Sequence, residues 1–168
     1  SEMCIRDRLG AAPEQVQALG NLKFDIATPD VQDFVAQFHA QVPAERPVWI
    51  AASTHAGEDE IILAAHHQLL KSRPDALLIL VPRHPERFNA VHNLCMNQSL
   101  TTRRRSTGEA VQASDQVLLG DTMGELLFLY ALADIAFVGG SLVANGGHNL
   151  LEPAALGKPV LLSLIHIS

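Results

Sequence analysis

The sequence has 168 residues and a formal net charge of −6, with 48% hydrophobic and 18% charged residues. This composition is that of one folded globular domain with a sizeable core, and it excludes a disordered chain. No apolar run is long enough for a membrane helix, and two cysteines are too few for a disulfide framework, which favours a reducing compartment.

Apolar runs and helical patterns follow one another along the chain. An extended piece at 20–25 and a helix-like segment at 29–42 come first. After Pro47, helical patterns at 58–71, 85–97, 124–133 and 150–156 separate five apolar runs, at 48–53, 77–82, 116–121, 135–140 and 159–162. Runs that are apolar throughout are typical of strands covered on both faces of a parallel sheet. We therefore predict an α/β fold, a Rossmann-like, doubly wound parallel sheet with helices on both faces.

A basic run, TRRRS at Thr102–Ser106, stands out from the acidic chain. Three arginines in a row more often belong to a solvated surface loop than to a nucleic-acid patch. We therefore predict a surface loop at this position and no nucleic-acid partner.

The two ends do not continue the patterns beside them. Residues 1–8 (SEMCIRDR) and 163–168 (SLIHIS) resemble translated adaptor sequence, so both are expected to be non-native and to stay outside the fold. The native part then covers residues 9–162, which we take as one partial domain. Its last apolar run has no helix after it, and we expect the sheet to be truncated there.

Polar residues concentrate where the predicted strands end. In open α/β sheets, ligands bind outside the carboxyl ends of the strands. These ends carry STHAGE (53–58), PRHPER (82–87), GDTMGE (120–125) and GGSLVANGGHNLLE (139–152). The pair Gly146–Gly147 before a helix would present free N–H groups and the positive end of a helix dipole to an anion. This edge of the sheet is the predicted site.

Two side chains at this edge each allow two interpretations. Glu152, in the first turn of the last helix, could accept hydrogen bonds from a ribose diol, or it could simply cap the helix or be an acid that the helix dipole favours. Arg83 could hold a phosphate or the polar edge of a base, or it could form a salt bridge with Glu86 or Glu58. The residues alone leave both questions open.

Other kinds of site are disfavoured by the motifs. His55, His84 and His148 all lie at the edge, but their spacing gives no metal-ligand pair on one element. The sequence has no G-x-S-x-G elbow, no GxGxxG and no GxxxxGKS/T loop, which argues against a hydrolase, a dinucleotide fingerprint and a Walker A site. A sugar-nucleotide site with glycine contacts, as in glycosyltransferases, remains.

Five blocks of the sequence together resemble one family. They are GNLKFD, WIAASTHAGEDE, LILVPRHPERF, GDTMGELLFLYALADIAFVGGSLV and GGHNLLEPAALGKPV. In this order they resemble the carboxy-terminal half of the 3-deoxy-D-manno-octulosonic acid (Kdo) transferases of Gram-negative bacteria. The resemblance implies a two-domain GT-B glycosyltransferase, of which this chain would be most of the C-terminal, donor-binding half.

The resemblance also implies the ligands and their contacts. The family's donor is CMP-Kdo, its acceptor is a lipid A precursor at the cytoplasmic face of the inner membrane, and neither a cofactor nor a metal is implied. Carried over position by position, the expected CMP contacts are Pro82, Arg83, Met123, Gly124, Glu125, Asn149, Leu150, Leu151 and Glu152. Residues expected near the donor sugar or phosphate are Ser53, Thr54, His55, Gly146, Gly147 and His148.

The resemblance implies no catalytic residue within this chain. The family's general base is a glutamate of the amino-terminal domain beside the membrane anchor, and Glu58 or Glu125 would not stand on the acceptor side. The parent enzyme is thus expected to transfer Kdo in lipopolysaccharide biosynthesis, whereas the isolated chain would bind nucleotide and be inactive. The alternatives are another GT-B nucleotide-sugar transferase, an epimerase, or a non-catalytic nucleotide-binding module.

Overall fold

In the part of the chain that the structure describes, six parallel strands form the centre of the fold. The computed structural model describes residues 30–143 and 148–163. Its strands are β1 (Val48–Thr54), β2 (Leu77–Pro82), β3 (Thr102–Arg104), β4 (Val117–Leu119), β5 (Ile135–Val138) and β6 (Val160–Leu161). They lie in the order β3-β4-β2-β1-β5-β6, and every neighbouring pair is parallel. The chain therefore completes one side of the sheet, with β1 to β4, before it crosses to the other side at β5.

Helices cover both faces of this sheet. The described residues form α1 (Gln32–His39), α2 (Glu58–Ser72), α3 (Phe88–Asn97), α4 (Leu126–Leu132) and α5 (Leu151–Ala155), with 3₁₀ turns at Pro85–Arg87 and Arg105–Thr107. The helices α2 and α3 share one apolar cluster with the sheet, and α1 and α4 share the other. None of these helices is long and apolar enough to cross a membrane. The predicted doubly wound α/β fold is confirmed.

Alternate residues of a central strand are buried on opposite faces of the sheet. Leu77 and Ile79 of β2 belong to the cluster with α1 and α4, whereas Leu78 and Leu80 belong to the cluster with α2 and α3. All four side chains are 0% exposed. Because burial of one such side chain contributes roughly 1.5–3 kcal/mol, both faces of the strand favour apolar residues. This explains why the strand is apolar throughout.

The observed helices and strands lie close to the predicted ones. The helical patterns at 58–71 and 85–97 are confirmed, and those at 124–133 and 150–156 form shorter helices. The extended piece predicted at 20–25 and the terminal segments 1–8 and 164–168 lie outside the described residues. Ser163 is described, and its N–H donates to Ser141 Oγ at 3.3 Å.

The arginine run does not form a surface loop, and that prediction was wrong. Residues 102–104 form the edge strand β3, which pairs with β4. Each arginine forms an ion pair with an acidic residue farther along the chain. The pairs are Arg103 with Asp115, Arg104 with Asp121 and Arg105 with Glu125. The two aspartates are almost fully buried. Since a buried charge must be paired, these aspartates hold the arginine strand against the sheet.

Candidate functional site

A cavity opens at the carboxyl ends of the strands, close to where the strand order reverses between β1 and β5. Its volume is about 130 Å³, and it is lined by Ser53, Arg83, Leu126, Tyr130, His148, Asn149 and Glu152. All of these except Leu126 and Tyr130 were named from the sequence. The fold therefore brings the loops after β1, β2 and β5 and the helices α4 and α5 into one site, as expected for an open α/β sheet.

Glycines allow the chain after β5 to pass close to the end of β1. A Cβ atom on Gly139 would lie 2.4 Å from the carbonyl oxygen of Ser53. Gly140 has a φ of 81°, in the left-handed region that favours glycine. One glycine pair of the loop is thus explained, Gly139 by close approach and Gly140 by its left-handed backbone. The second pair, Gly146–Gly147, lies outside the described residues, and its anion site stays a prediction.

Glu58 ties the loops after β1 and β5 together. Its carboxylate, 0% exposed, accepts backbone N–H bonds from Gly140 (2.8 Å), Leu142 (3.0 Å) and His55 (2.9 Å). Bonds from backbone N–H groups to a buried carboxylate are strong, because the acceptor is charged and shielded from water. Glu58 therefore shapes the site and does not face a ligand.

A second buried network fixes the end of β1. Thr54 Oγ1 donates to Asp59 Oδ1 at 2.6 Å, and Arg87 pairs with the other oxygen of Asp59. Arg87 also donates to the Thr54 carbonyl oxygen at 2.7 Å. Burial raises the pKa of Asp59, and the bonds from Thr54 and Arg87 oppose that rise. Thr54, expected near the donor, is 0% exposed, and its hydroxyl is engaged by Asp59.

The helix α5 begins beneath the cavity. Asn149 Oδ1 accepts the N–H of Leu151, the first helical residue, at 3.1 Å. Its Nδ2 lies 3.5 Å from Glu152 Oε1, and Glu152 occupies the first turn of the helix. Burial raises the pKa of Tyr130 well above its usual range, and the nearby charge of Glu152 adds to the effect. The cavity thus combines an amide, a carboxylate and a phenol at one helix start.

Arg83 supplies a cation to the same cavity. Its backbone N–H donates to the Thr54 carbonyl oxygen at 3.0 Å, while its side chain is exposed and lines the cavity. Across the described ranges it forms no ion pair, so the alternative of a salt bridge with Glu58 or Glu86 gains no support. The guanidinium is therefore available to an anion.

The sequence is similar to named enzymes over most of its length. It is 51% identical over 154 residues to the 3-deoxy-D-manno-octulosonic acid transferase of Haemophilus influenzae, which covers 91% of this chain and 36% of the relative. The Bordetella pertussis protein of the same name is 44% identical, over 85% of this chain and 34% of the relative. The chain thus spans about a third of the length of these curated relatives. No protein-family model matches it.

The fold also matches a solved structure, the C-terminal CMP-Kdo binding domain of WaaA from Acinetobacter baumannii. The two share 48% identity and a TM-score of 0.73, over 77% of this chain and 68% of that one. The chain belongs to the Kdo transferase family. Its parallel sheet corresponds to the Rossmann-like C-terminal domain of these GT-B glycosyltransferases.

Three histidines gather at the edge of this Kdo transferase domain. His55 Nε2 and His148 Nε2 lie 2.5 Å apart, and the ring of His84 is 5.6 Å from that of His55. Burial is the largest cause that lowers the pKa of both His55 and His148. Among residues 30–143 and 148–163, no group of three acidic, histidine or cysteine side chains could hold a metal ion.

Some residues expected to contact CMP lie at the edge but outside the cavity. Met123 is 69% exposed, and Gly124 has a φ of 78°. Glu125 accepts hydrogen bonds from Thr122 Oγ1 (2.5 Å) and from Arg105 (2.9 Å). Pro82, Leu150 and Leu151 do not line the cavity either. Their contacts with a nucleotide remain predictions for this family member.

Two lining residues were missed from the sequence. Leu126 and Tyr130 lie on α4 and face the cavity together because they are four residues apart, one helical turn. The same spacing is also typical of a helix face packed on a sheet, and Tyr130 does belong to the apolar cluster there. The available signal was the hydroxyl of the tyrosine, which makes it an unusual core residue.

Proposed function

We propose that this chain binds CMP-Kdo and forms the donor side of a Kdo transferase. The observation that carries the proposal is the convergence of Arg83, Asn149 and Glu152 on one cavity at the carboxyl edge. A domain 48% identical to this chain is described as a CMP-Kdo binding domain, which supports the same donor.

Each part of the donor has a suitable partner in the proposal. Arg83 binds the phosphate or the polar edge of the cytosine, and Glu152 accepts hydrogen bonds from the two ribose hydroxyls. The remaining expected contacts surround the pyrimidine and the start of the helix, namely Pro82, Met123, Gly124, Glu125, Asn149, Leu150 and Leu151. The protein positions the donor and stabilises charge on the departing phosphate, without a cofactor or metal.

For the whole protein we propose transfer of Kdo from CMP-Kdo to a hydroxyl of a lipid A precursor, with CMP leaving. This would place the enzyme in lipopolysaccharide biosynthesis at the cytoplasmic face of the inner membrane. The acceptor site, the membrane anchor and the general base would lie outside these 168 residues. The engagement of Glu58 by backbone N–H groups and of Glu125 by Arg105 supports a base elsewhere.

Nucleotide titration tests the proposal directly. CMP, UMP and AMP are titrated into the chain by calorimetry, and we expect CMP to bind most tightly because the family contacts suit a single pyrimidine ring. Equal binding of AMP would favour a transferase or epimerase with another nucleotide sugar. Failure of all three to bind, with the fold intact by circular dichroism, would overturn the proposal.

A further inference from the structure

Two histidines from different loops of the site form a hydrogen-bonded pair. His55 follows β1 and His148 precedes α5, and their Nε2 atoms lie 2.5 Å apart with the rings nearly parallel at 15°. Both side chains are half-buried, and His148 lines the cavity. One Nε2 must carry the proton that the other accepts, because two lone pairs would repel at this distance.

This hydrogen bond limits how many protons the pair can hold. With both rings neutral, one proton lies between the Nε2 atoms and a second occupies one Nδ1. A third proton fills the remaining Nδ1 and leaves the bond in place, whereas a fourth would put protons on both Nε2 atoms and break it. The intact pair therefore has a charge of zero or one, and it titrates as a unit.

The groups around the pair favour the neutral form in the free protein. Burial is the largest effect and lowers the pKa of both histidines. The positive charges of Arg83 and Arg87, together with His84, act in the same direction, and Glu58 opposes them. A bound anion would add a second negative charge beside the pair. Such a charge favours the uptake of a proton.

We propose that His55 and His148 act as one unit that takes up a single proton and holds it beside the phosphate of the bound nucleotide. This inference rests on the proposed function. His148 contacts the nucleotide from the cavity wall, and His55 is a positioning residue that acts through His148.

The proton has a defined task in the transfer step. When Kdo leaves, the bond between its anomeric carbon and the phosphate oxygen breaks, and the electron pair stays on that oxygen. The phosphate changes from a diester with one negative charge to a monoester with up to two. A positively charged pair, hydrogen-bonded to the phosphate, stabilises the second charge. The acceptor oxygen forms the new bond to the anomeric carbon, the proton of that hydroxyl leaves on the acceptor side, and the pair keeps its own.

Proton uptake on CMP binding tests the inference. Calorimetry at pH 7.5 in buffers of different ionisation enthalpy should show uptake of about 0.5–1 proton per CMP by the wild-type chain. By linkage, CMP affinity should then fall roughly three- to tenfold per pH unit above pH 7.5. Glutamine retains hydrogen-bonding groups but binds no proton. Uptake should nearly vanish in His148→Gln, which removes the ring that lines the cavity, and it should fall in His55→Gln, where the remaining His148 titrates without its partner. His92→Gln, on α3, is the matched control and should behave as wild type.

A second measurement needs no variant. Long-range ¹⁵N NMR of the imidazoles should show that CMP raises the pH at which His55 and His148 titrate. CMP binding without proton uptake, or equal uptake in the wild-type chain and His55→Gln, overturns the inference and leaves the proposed function standing. Absence of CMP binding to the folded wild-type chain overturns both.

Discussion

Glu152 occupies a position in which either the fold or the ligand could require it. It lies in the first turn of α5, where the helix dipole stabilises an acidic side chain. It also lines the cavity beside Arg83 and Asn149. The two roles have opposite consequences for binding and for stability, so one substitution can distinguish them.

We expect Glu152→Ala to lower CMP affinity by about tenfold or more, with little change in melting temperature. Hydrogen bonds to a charged group contribute roughly 1.5–3 kcal/mol each, less at an open site, and a tenfold change corresponds to about 1.4 kcal/mol. Glu152→Gln keeps the shape and weakens both bonds, so it should give a smaller loss. CMP titration and thermal unfolding of the same samples measure the two effects.

Glu60 provides the matched control for this substitution. It is an exposed acid in the first turn of α2 and does not line the cavity. Glu60→Ala should cost about 0.3–1 kcal/mol of stability and leave CMP affinity unchanged. If Glu152→Ala behaves like Glu60→Ala, Glu152 stabilises the helix and does not bind the ribose.

The strands β2 and β3 show which elements the sequence could predict. Each residue of β2 is apolar and buried, so the strand can be predicted from its own short run of apolar residues. β3 consists of Thr-Arg-Arg, and its arginines pair with Asp115 and Asp121, which lie 12 and 17 residues farther along the chain. No local pattern encodes ion pairs at that separation. The composition of this segment therefore favoured a loop, although its tertiary contacts make it a strand.

The same distinction applies to the site. Strand-end residues such as Arg83 could be predicted, because the ends of parallel strands share one edge. The direction in which a side chain at that edge points could not be predicted from the sequence. Thr54 and Glu58 both lie there, yet Thr54 donates to Asp59 and Glu58 accepts backbone N–H groups. Only packing decides which polar groups turn inward.

A buried histidine links α2 to the sheet and should make stability depend on pH. His66 Nδ1 accepts from Trp49 Nε1 at 3.1 Å, and its Nε2 donates to the Gln116 carbonyl oxygen at 2.9 Å. Burial lowers the pKa of His66 from 6.5 to about 4. Between these values the unfolded chain binds a proton that the folded chain does not. Its contribution to stability is therefore intact above pH 6.5 and lost as the pH falls toward 4.

Because of His66, we expect the unfolding free energy of the wild-type chain to fall by roughly 2 kcal/mol from pH 7 to pH 5. Urea unfolding at both pH values, followed by the fluorescence of Trp49, measures this change. In His66→Gln the difference between the two pH values should shrink by that amount, whereas His67→Gln should keep the wild-type difference. An identical pH dependence in wild type and His66→Gln would show that His66 is not the source.

Across the whole sheet, the glutamates that support the loops are distinct from the side chains that line the cavity. The crossing from one half to the other leaves a crevice between the loops after β1 and β5, and the cavity lies beside it. Two glutamates near this crevice are already engaged, Glu58 by backbone N–H groups and Glu125 by Thr122 and Arg105. A general base must instead reach the acceptor hydroxyl with a free oxygen. The edge is therefore suited to holding a donor rather than to activating an acceptor.

We therefore expect the 168-residue chain to bind CMP without turning over CMP-Kdo. Incubated with CMP-Kdo and a lipid A precursor, it should release CMP no faster than the spontaneous reaction, since no base faces the acceptor in the proposed arrangement. The Haemophilus influenzae relative, of whose length this chain matches 36%, is the positive control in the same assay. A CMP titration of the same sample ensures that inactivity does not reflect loss of the fold. Turnover by the chain well above the spontaneous rate would place a base within it, and would contradict the proposal that acceptor activation lies outside these residues.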